Sequence, residues 1–365
     1  MITVNTLCQW MEEIAPLSLQ ESYDNAGLQV GDRSSEITGV LITLDVTEAV
    51  IQEAIEKHCN CIIAHHPLLF KGLKQITGKH YVERCVIAAI ENHIAIYAAH
   101  TNLDATWQGV SAKMAEKLHL DPLQILSPIQ HQLLKLVTFV PTTHAEEIKN
   151  RLFEAGAGNI GNYSECSFGT EGIGTFKAND KAHPFVGNVH ERHHEKELRL
   201  EAIVPLHRQR AVEKALIDAH PYEEPAFDWI LLENPTTTLG IGMVGMLPQP
   251  QEPLAFLSQL KETFHLQSIR HTAPLNKPIR KVALCGGSGA SLLPLAIASQ
   301  ADIYVSADFK YHEFFEANQQ IMIADIGHYE SEQFTKELLM EQLQKKLPNF
   351  AIHLSTIDTN PIYYF

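Results

Sequence analysis

Two histidines stand side by side in CIIAHHPLLF, residues 61–70, where an apolar run meets Pro67. Successive side chains of a strand point to opposite faces. His65 and His66 therefore reach one site only if the strand has ended. Pro67 favours an ending there, because it restricts the residue before it and lacks an N–H. Two imidazoles so placed suit one metal ion or two neighbouring ones; the alternative is a structural or surface pair. AAHTNLDA, 98–105, places His100 and Asp104 just past the next apolar run. Asp104 offers a carboxylate that bridges two divalent ions, or a helix cap. In DIGHYESEQF, 325–334, His328 and Glu332 are four residues apart and share one helix face, with Glu330 pointing elsewhere. The alternative there is a helix start with acids in its favourable first turn. His65, His66, Asp104, His328 and Glu332 together fall short of two full coordination shells, which leaves the open positions a catalytic site needs. Mixed imidazole and carboxylate donors suit zinc, manganese or iron and argue against calcium. Two ions about 4 Å apart acidify bound water and clamp the attacking and leaving oxygens of a hydrolysis.

Other segments carry weaker signals. ESYDNAGLQVG, 21–31, sets Glu21, Asp24 and Asn25 in a turn that lines a pocket or stabilises itself. GGSG at 286–289 follows a strand, and its N–H groups suit a phosphate, but it matches no nucleotide fingerprint. In SADFKYHEF, 306–314, His312 is a candidate general acid or base, against the alternative of a solvated helix start. The second histidine pair, in ERHHEK at 191–196, has no convergent partners and reads as surface. Ser288 lacks the partners of a serine triad.

The elements that must position these groups read as α/β. Apolar runs at 37–47, 61–67 and 94–104 alternate with helical spacing at 48–58 and 81–93, which implies parallel strands joined by crossovers. The same style returns in strands at 278–289, 301–308, 321–328 and 350–356, with helices at 310–319 and 329–347. Ligands of such sheets gather at the carboxyl ends of the strands, where Asp45, His65, His66, His100, Asp104, Asp308, Asp325 and His328 all fall. Between these parts the order is strand, helix, hairpin material, strand, helix, strand, a ferredoxin-like pattern. The reading is two similar α/β lobes, 1–127 and 237–365, interrupted by an inserted α+β domain at 128–236.

Composition narrows the classes. With 43 acidic and 28 basic residues the net charge is −15, and no basic cluster supports nucleic-acid binding. The six cysteines form no CxxC pair, and Cys59 and Cys61 read as core residues. The start, MITVNTLCQWMEEIAP, lacks the basic region of a signal peptide, and no apolar run is long enough to span a membrane. A cytoplasmic location is the expectation.

The blocks SYDNAGLQVG, LITLDVT, IIAHHPLLFKG, AAHTNLDA, GGSGASLL, ADIYVSADFKYHE and DIGHYESE resemble those of the GTP cyclohydrolase 1 type 2 homologs, NIF3-like dinuclear metal-binding proteins. The resemblance covers roughly 1–125 and 240–365. It implies that His65, His66, Asp104, His328 and Glu332 bind two divalent ions, zinc first, with manganese or iron as alternatives. It also implies two α/β lobes facing the metal site, a homohexamer built as a trimer of dimers, and an insertion similar to PII/CutA-like domains. The activity it implies is opening of the GTP imidazole ring by metal-activated water with release of formate. A small anionic substrate fits that reading, with Lys71, Lys310 or Arg280 to offset the acidic charge. A metal-dependent phosphatase or phosphodiesterase, and a non-enzymatic metal-binding regulator or scaffold, stay open beside it.

Overall fold

Val40–Thr43, Cys61–Ala64 and Ala95–Ala98 are strands buried at every position, as parallel strands covered on both faces must be. They pair in parallel, with Thr43 beside Ala64 and Ala64 beside Ala98. Leu41, Ile62 and Ile96 point to one face and pack under helices Glu48–Glu56 and Tyr81–Glu91. Ile42, Ile63 and Tyr97 point to the other and pack under Val4–Ile14 and Thr335–Lys346. Each helix shows one apolar stripe to the sheet, and Thr47 caps the helix Glu48–Glu56 by accepting from Val50 N–H at 3.3 Å.

The computed structural model describes all 365 residues. They form two units, 1–128 with 238–365, and 129–237. The first unit contains two sheets. One runs Gly27–Val30, Ala95–Ala98, Cys61–Ala64, Val40–Thr43, Ile352–Leu354, with only Gly27–Val30 antiparallel to its neighbour. The other runs Arg270–His271, Met322–Asp325, Ile303–Ala307, Ile279–Ser288, Gly240–Gln251, Gln124–Pro128. Its three strands from Ile279 to Asp325 are parallel and the rest antiparallel. The lobes exchange edges: the last strand of the chain joins the first sheet, and Gln124–Pro128 joins the second.

Two helices differ from their sequence patterns. The segment at 310–319 forms a seven-residue 3-10 helix, Tyr311–Ala317, rather than an α-helix. The long helix at 329–347 is broken into His328–Glu332 and Thr335–Lys346. The break falls where the chain passes from one core to the other. Phe334 packs in the core of the second sheet and Leu338 in that of the first.

The unit 129–237 has the order strand, helix, strand, strand, helix, strand. Its antiparallel sheet runs Ser167–Lys177, Arg192–Pro205, Leu133–Pro141, Phe227–Leu232, with Ala145–Glu154 and Gln209–Ala219 packed on one face. This is the ferredoxin-like arrangement.

Candidate metal centre

The parallel strands of both sheets deliver their following residues to one place. Asp45 follows Val40–Thr43, His65 and His66 follow Cys61–Ala64, and His100 follows Ala95–Ala98. From the second sheet, Asp308 follows Ile303–Ala307 and His328 follows Met322–Asp325. The strand does end at Ala64, and the rings of His65 and His66, with centroids 5.0 Å apart, turn toward the same site.

Each of four histidines is held through Nδ1. That of His65 bonds the Ala99 carbonyl at 2.7 Å, and that of His66 bonds Asp45 at 2.7 Å. That of His100 bonds Asp24 at 2.8 Å, and that of His328 bonds Asp308 at 2.7 Å. An acceptor at Nδ1 fixes the proton there and leaves the Nε2 lone pair free, the arrangement of metal-ligating histidines. The Nε2 atoms meet the carboxylates: His66 lies 2.9 Å and His328 3.2 Å from Glu332 Oε2. His65 Nε2 is 3.7 Å from Glu332 Oε1 and 3.8 Å from Asp104 Oδ1. Yet His65 Nε2 and Asp104 Oδ1 are buried without a hydrogen-bond partner, and Glu332 Oε2 meets only imidazole nitrogens that carry no proton in this tautomer. Three orphaned polar atoms at one point are costly unless a cation satisfies them. Two groups, His65–His66–His100 and His66–His328–Glu332, each bring their ligand atoms within 4.8 Å of one another.

The charges follow from this crowding. Burial opposes protonation of His66, but Asp45 and Glu332 prevail and raise its pKa to about 10. Burial likewise opposes charge on His328, and Asp308 and Glu332 raise it to about 11. The two carboxylates are driven apart. Burial dominates at Asp104 and raises its pKa, whereas the histidines outweigh burial at Glu332 and hold it well below the usual range. Burial also opposes ionisation of Asp24, but bonds from His100 and Thr101 hold it down at about 2.

Local sequence explains the fit. Gly287 has φ +62°, and a Cβ there would overlap Glu332 Oε1. Its N–H donates to Ser331 Oγ at 2.9 Å. The GGSG segment ends the strand Ile279–Ser288 rather than following it, and there it makes room for Glu332, so the Gly287 N–H is not free for a phosphate. Asp308, also at positive φ (60°), is a non-glycine residue held in a strained conformation at the site. The C-terminal tail closes the frame: Thr359 donates to Asp45 at 2.7 Å and Asn360 to Glu330 at 3.0 Å. Tyr23 and Phe70, with centroids 6.3 Å apart, form an exposed aromatic rim, Phe70 lying 6.2 Å from His100.

The structure brings His65, His66, Asp104, His328 and Glu332 together. It adds His100, a strand-end residue that the sequence pattern left outside the ligand set. The carboxylate partners Asp24, Asp45 and Asp308 were visible only as strand-end or turn acids. His312 is not drawn in. It is exposed on the 3-10 helix, with ring contacts to Tyr311 and Phe315. Arg280 sits at the start of Ile279–Ser288, the end of that strand opposite Gly287.

Two α/β sheets that converge on a histidine–carboxylate centre, with a ferredoxin-like unit between their sequence halves, define the class of this protein. The chain belongs to the Duf34/NIF3 (NGG1p interacting factor 3) family, whose model matches residues 2–361. It is 38% identical over 364 residues to a GTP cyclohydrolase 1 type 2 homolog of Halalkalibacterium halodurans, covering 98% of each chain. The corresponding Bacillus subtilis protein is 37% identical over 368 residues, with 98% and 97% covered. Among solved structures, a Bacillus cereus protein related to NIF3 superposes with a TM-score of 0.88 at 38% identity, covering 100% of this chain and 99% of that one.

Proposed function

We propose that this protein is a metal-dependent hydrolase of the cyclohydrolase type, with two divalent ions held by His65, His66, His100, Asp104, His328 and Glu332. The observation that carries this reading is the trio of orphaned buried atoms on His65, Asp104 and Glu332, ringed by imidazoles whose Nδ1 atoms are already committed. Mixed nitrogen and oxygen donors favour zinc, with manganese or iron as alternatives. When bound, such ions supply Lewis acidity and a water ionised near neutral pH. The protein's own part is orientation. Asp24, Asp45, Asp308 and the Ala99 carbonyl fix the rings, and Gly287 and Ser331 seat Glu332. Tyr23 and Phe70 offer aromatic faces to a planar substrate beside His100, which suits a purine nucleotide whose imidazole ring is opened with loss of formate. His312 has no contact with the centre, and no proton transfer is assigned to it.

The test is metal per chain together with formate release from GTP, for the native protein and for His65→Ala and Glu332→Ala. About two ions per chain, and formate release that both variants abolish, is the expected result. Bound metal without formate would reject ring opening, and p-nitrophenyl phosphate would then test phosphoester hydrolysis. A protein that takes up no metal would overturn the reading altogether.

A further inference from the structure

The unit 129–237 has a cavity of its own, about 610 Å³ in volume. Phe139, Phe176, Phe185 and Tyr222 give it aromatic walls. The Tyr222 ring lies 6.3 Å from that of Phe185 and 6.4 Å from that of Phe176, inclined by 48° and 57°. Rings so inclined do not stack face to face, and all three line the cavity.

One polar group in this wall is unusual. Glu197 is only 9% exposed. Its Oε1 accepts the Tyr222 hydroxyl at 2.8 Å, and its Oε2 has no protein hydrogen bond. Gly174, also in the wall, lacks the Cβ that would overlap this oxygen, so the Glu197 carboxylate packs against its backbone while lining the cavity. Burial, then the Glu197 carboxylate, push the Tyr222 pKa up, so its hydroxyl stays a donor. Glu223 and Glu224 also line the cavity, with one cation, Lys181. Glu223 also accepts the His183 N–H at 2.9 Å.

These features select a ligand class. Acidic walls repel an anion. A neutral apolar molecule would leave the Glu197 oxygen desolvated and unpaired, which is costly. A bare metal ion would find one free carboxylate among phenyl rings, a poor shell. Aromatic faces around a carboxylate suit an ammonium group, through ring quadrupole and charge together. We infer that this cavity binds a small organic cation, with its ammonium group against the Glu197 carboxylate and its apolar body between the rings of Phe176, Phe185 and Tyr222.

The test is isothermal titration calorimetry of the full chain with choline and with its neutral carbon isostere, 3,3-dimethylbutan-1-ol. Choline binds one per chain and at least about ten-fold more tightly than the isostere, a ratio that measures charge at constant shape. Glu197→Gln lowers choline affinity about ten-fold or more and leaves the isostere unaffected, because it removes charge and keeps an acceptor for Tyr222. Phe176→Leu weakens choline while Glu197 is intact. Equal binding of the two probes, no choline binding at about ten millimolar, or unchanged affinity in Glu197→Gln would each overturn the inference. The probe comparison needs no variant, so it decides the matter even if a substitution fails to fold.

Discussion

Gly287→Ala probes the metal centre without replacing a ligand. Gly287 sits at φ +62°, and the added Cβ would lie 3.2 Å from Glu332 Cδ and 3.3 Å from His328 Cε1 while overlapping Glu332 Oε1. The left-handed conformation alone costs alanine about 1–2 kcal/mol. Glu332 is 3% exposed and packed against His65, His66 and His328, so its carboxylate has no free volume to move into. It swings away from the shared point or the strand end opens. Either way the loss in metal affinity is at least that of a disturbed supporting group, about 10- to 100-fold. The strain alone lowers the melting temperature by about 2–8 °C, at roughly 2–4 °C per kcal/mol for a unit of this size. The control is Gly161→Ala, with φ +57° and no atom within 4 Å of the new Cβ. It carries the strain without the collision. Metal retained per chain after dialysis against a graded chelator, read beside the melting temperature, separates the two effects. If Gly287→Ala keeps its metal as tightly as Gly161→Ala does, Glu332 is not seated by this strand end and the geometric argument fails.

Further outcomes follow from the same contacts and from the burial of His207. Asp45→Asn weakens the acceptor for His66 Nδ1 and lowers metal affinity about 10- to 100-fold with little loss of helix content; equal chelator resistance would show that Asp45 does not orient the ring. His66 and His328, raised to about 10 and about 11, carry protons at pH 8 when metal is stripped. Ligation through Nε2 then releases about two protons, read as a buffer-dependent binding enthalpy; a buffer-independent enthalpy would contradict the raised values. In the stripped protein the folded state binds more protons than the unfolded one from about pH 6.5 to about 11. That contribution to stability is therefore full below about pH 6.5 and is lost as pH rises across the window. The sign reverses at His207, which burial, then Arg208, lower to about 4. There the unfolded state binds the extra proton, so the unit 129–237 loses about 1–3 kcal/mol as pH falls from about 6.5 to about 4. Urea melts at several pH values check this, and His207→Gln flattens the curve if the reasoning holds.

Much of the centre is legible in the residues themselves. An apolar run that stops at His65-His66-Pro67, or at Asp325 before Gly327-His328, marks the carboxyl end of a buried parallel strand, and ligands collect at such ends for topological reasons. The i,i+4 spacing of His328 and Glu332 is a local fact of helix geometry. The strand–helix order of residues 129–237 likewise shows a ferredoxin-like unit before any contact is known. Local pattern does not reveal pairing across the chain. His100 looks like any polar residue past a strand until Asp24, 76 positions away, takes its Nδ1. Asp308 reads as a turn acid until the second sheet sets it against His328. GGSG leaves a phosphate site open as a weak reading until tertiary packing puts Glu332 over Gly287 and gives that N–H to Ser331. The helical spacing at 310–319 is real, yet the segment settles as a 3-10 turn and leaves His312 exposed. The exchange of edge strands between the lobes also lies outside any local signal, because Ile352–Leu354 pairs with Val40–Thr43 across nearly the whole chain. Residue type and period decide which groups can do chemistry and at which end of an element they sit. Only the packed structure decides which of them face one another, because burial and hydrogen-bond satisfaction are properties of the assembled neighbourhood.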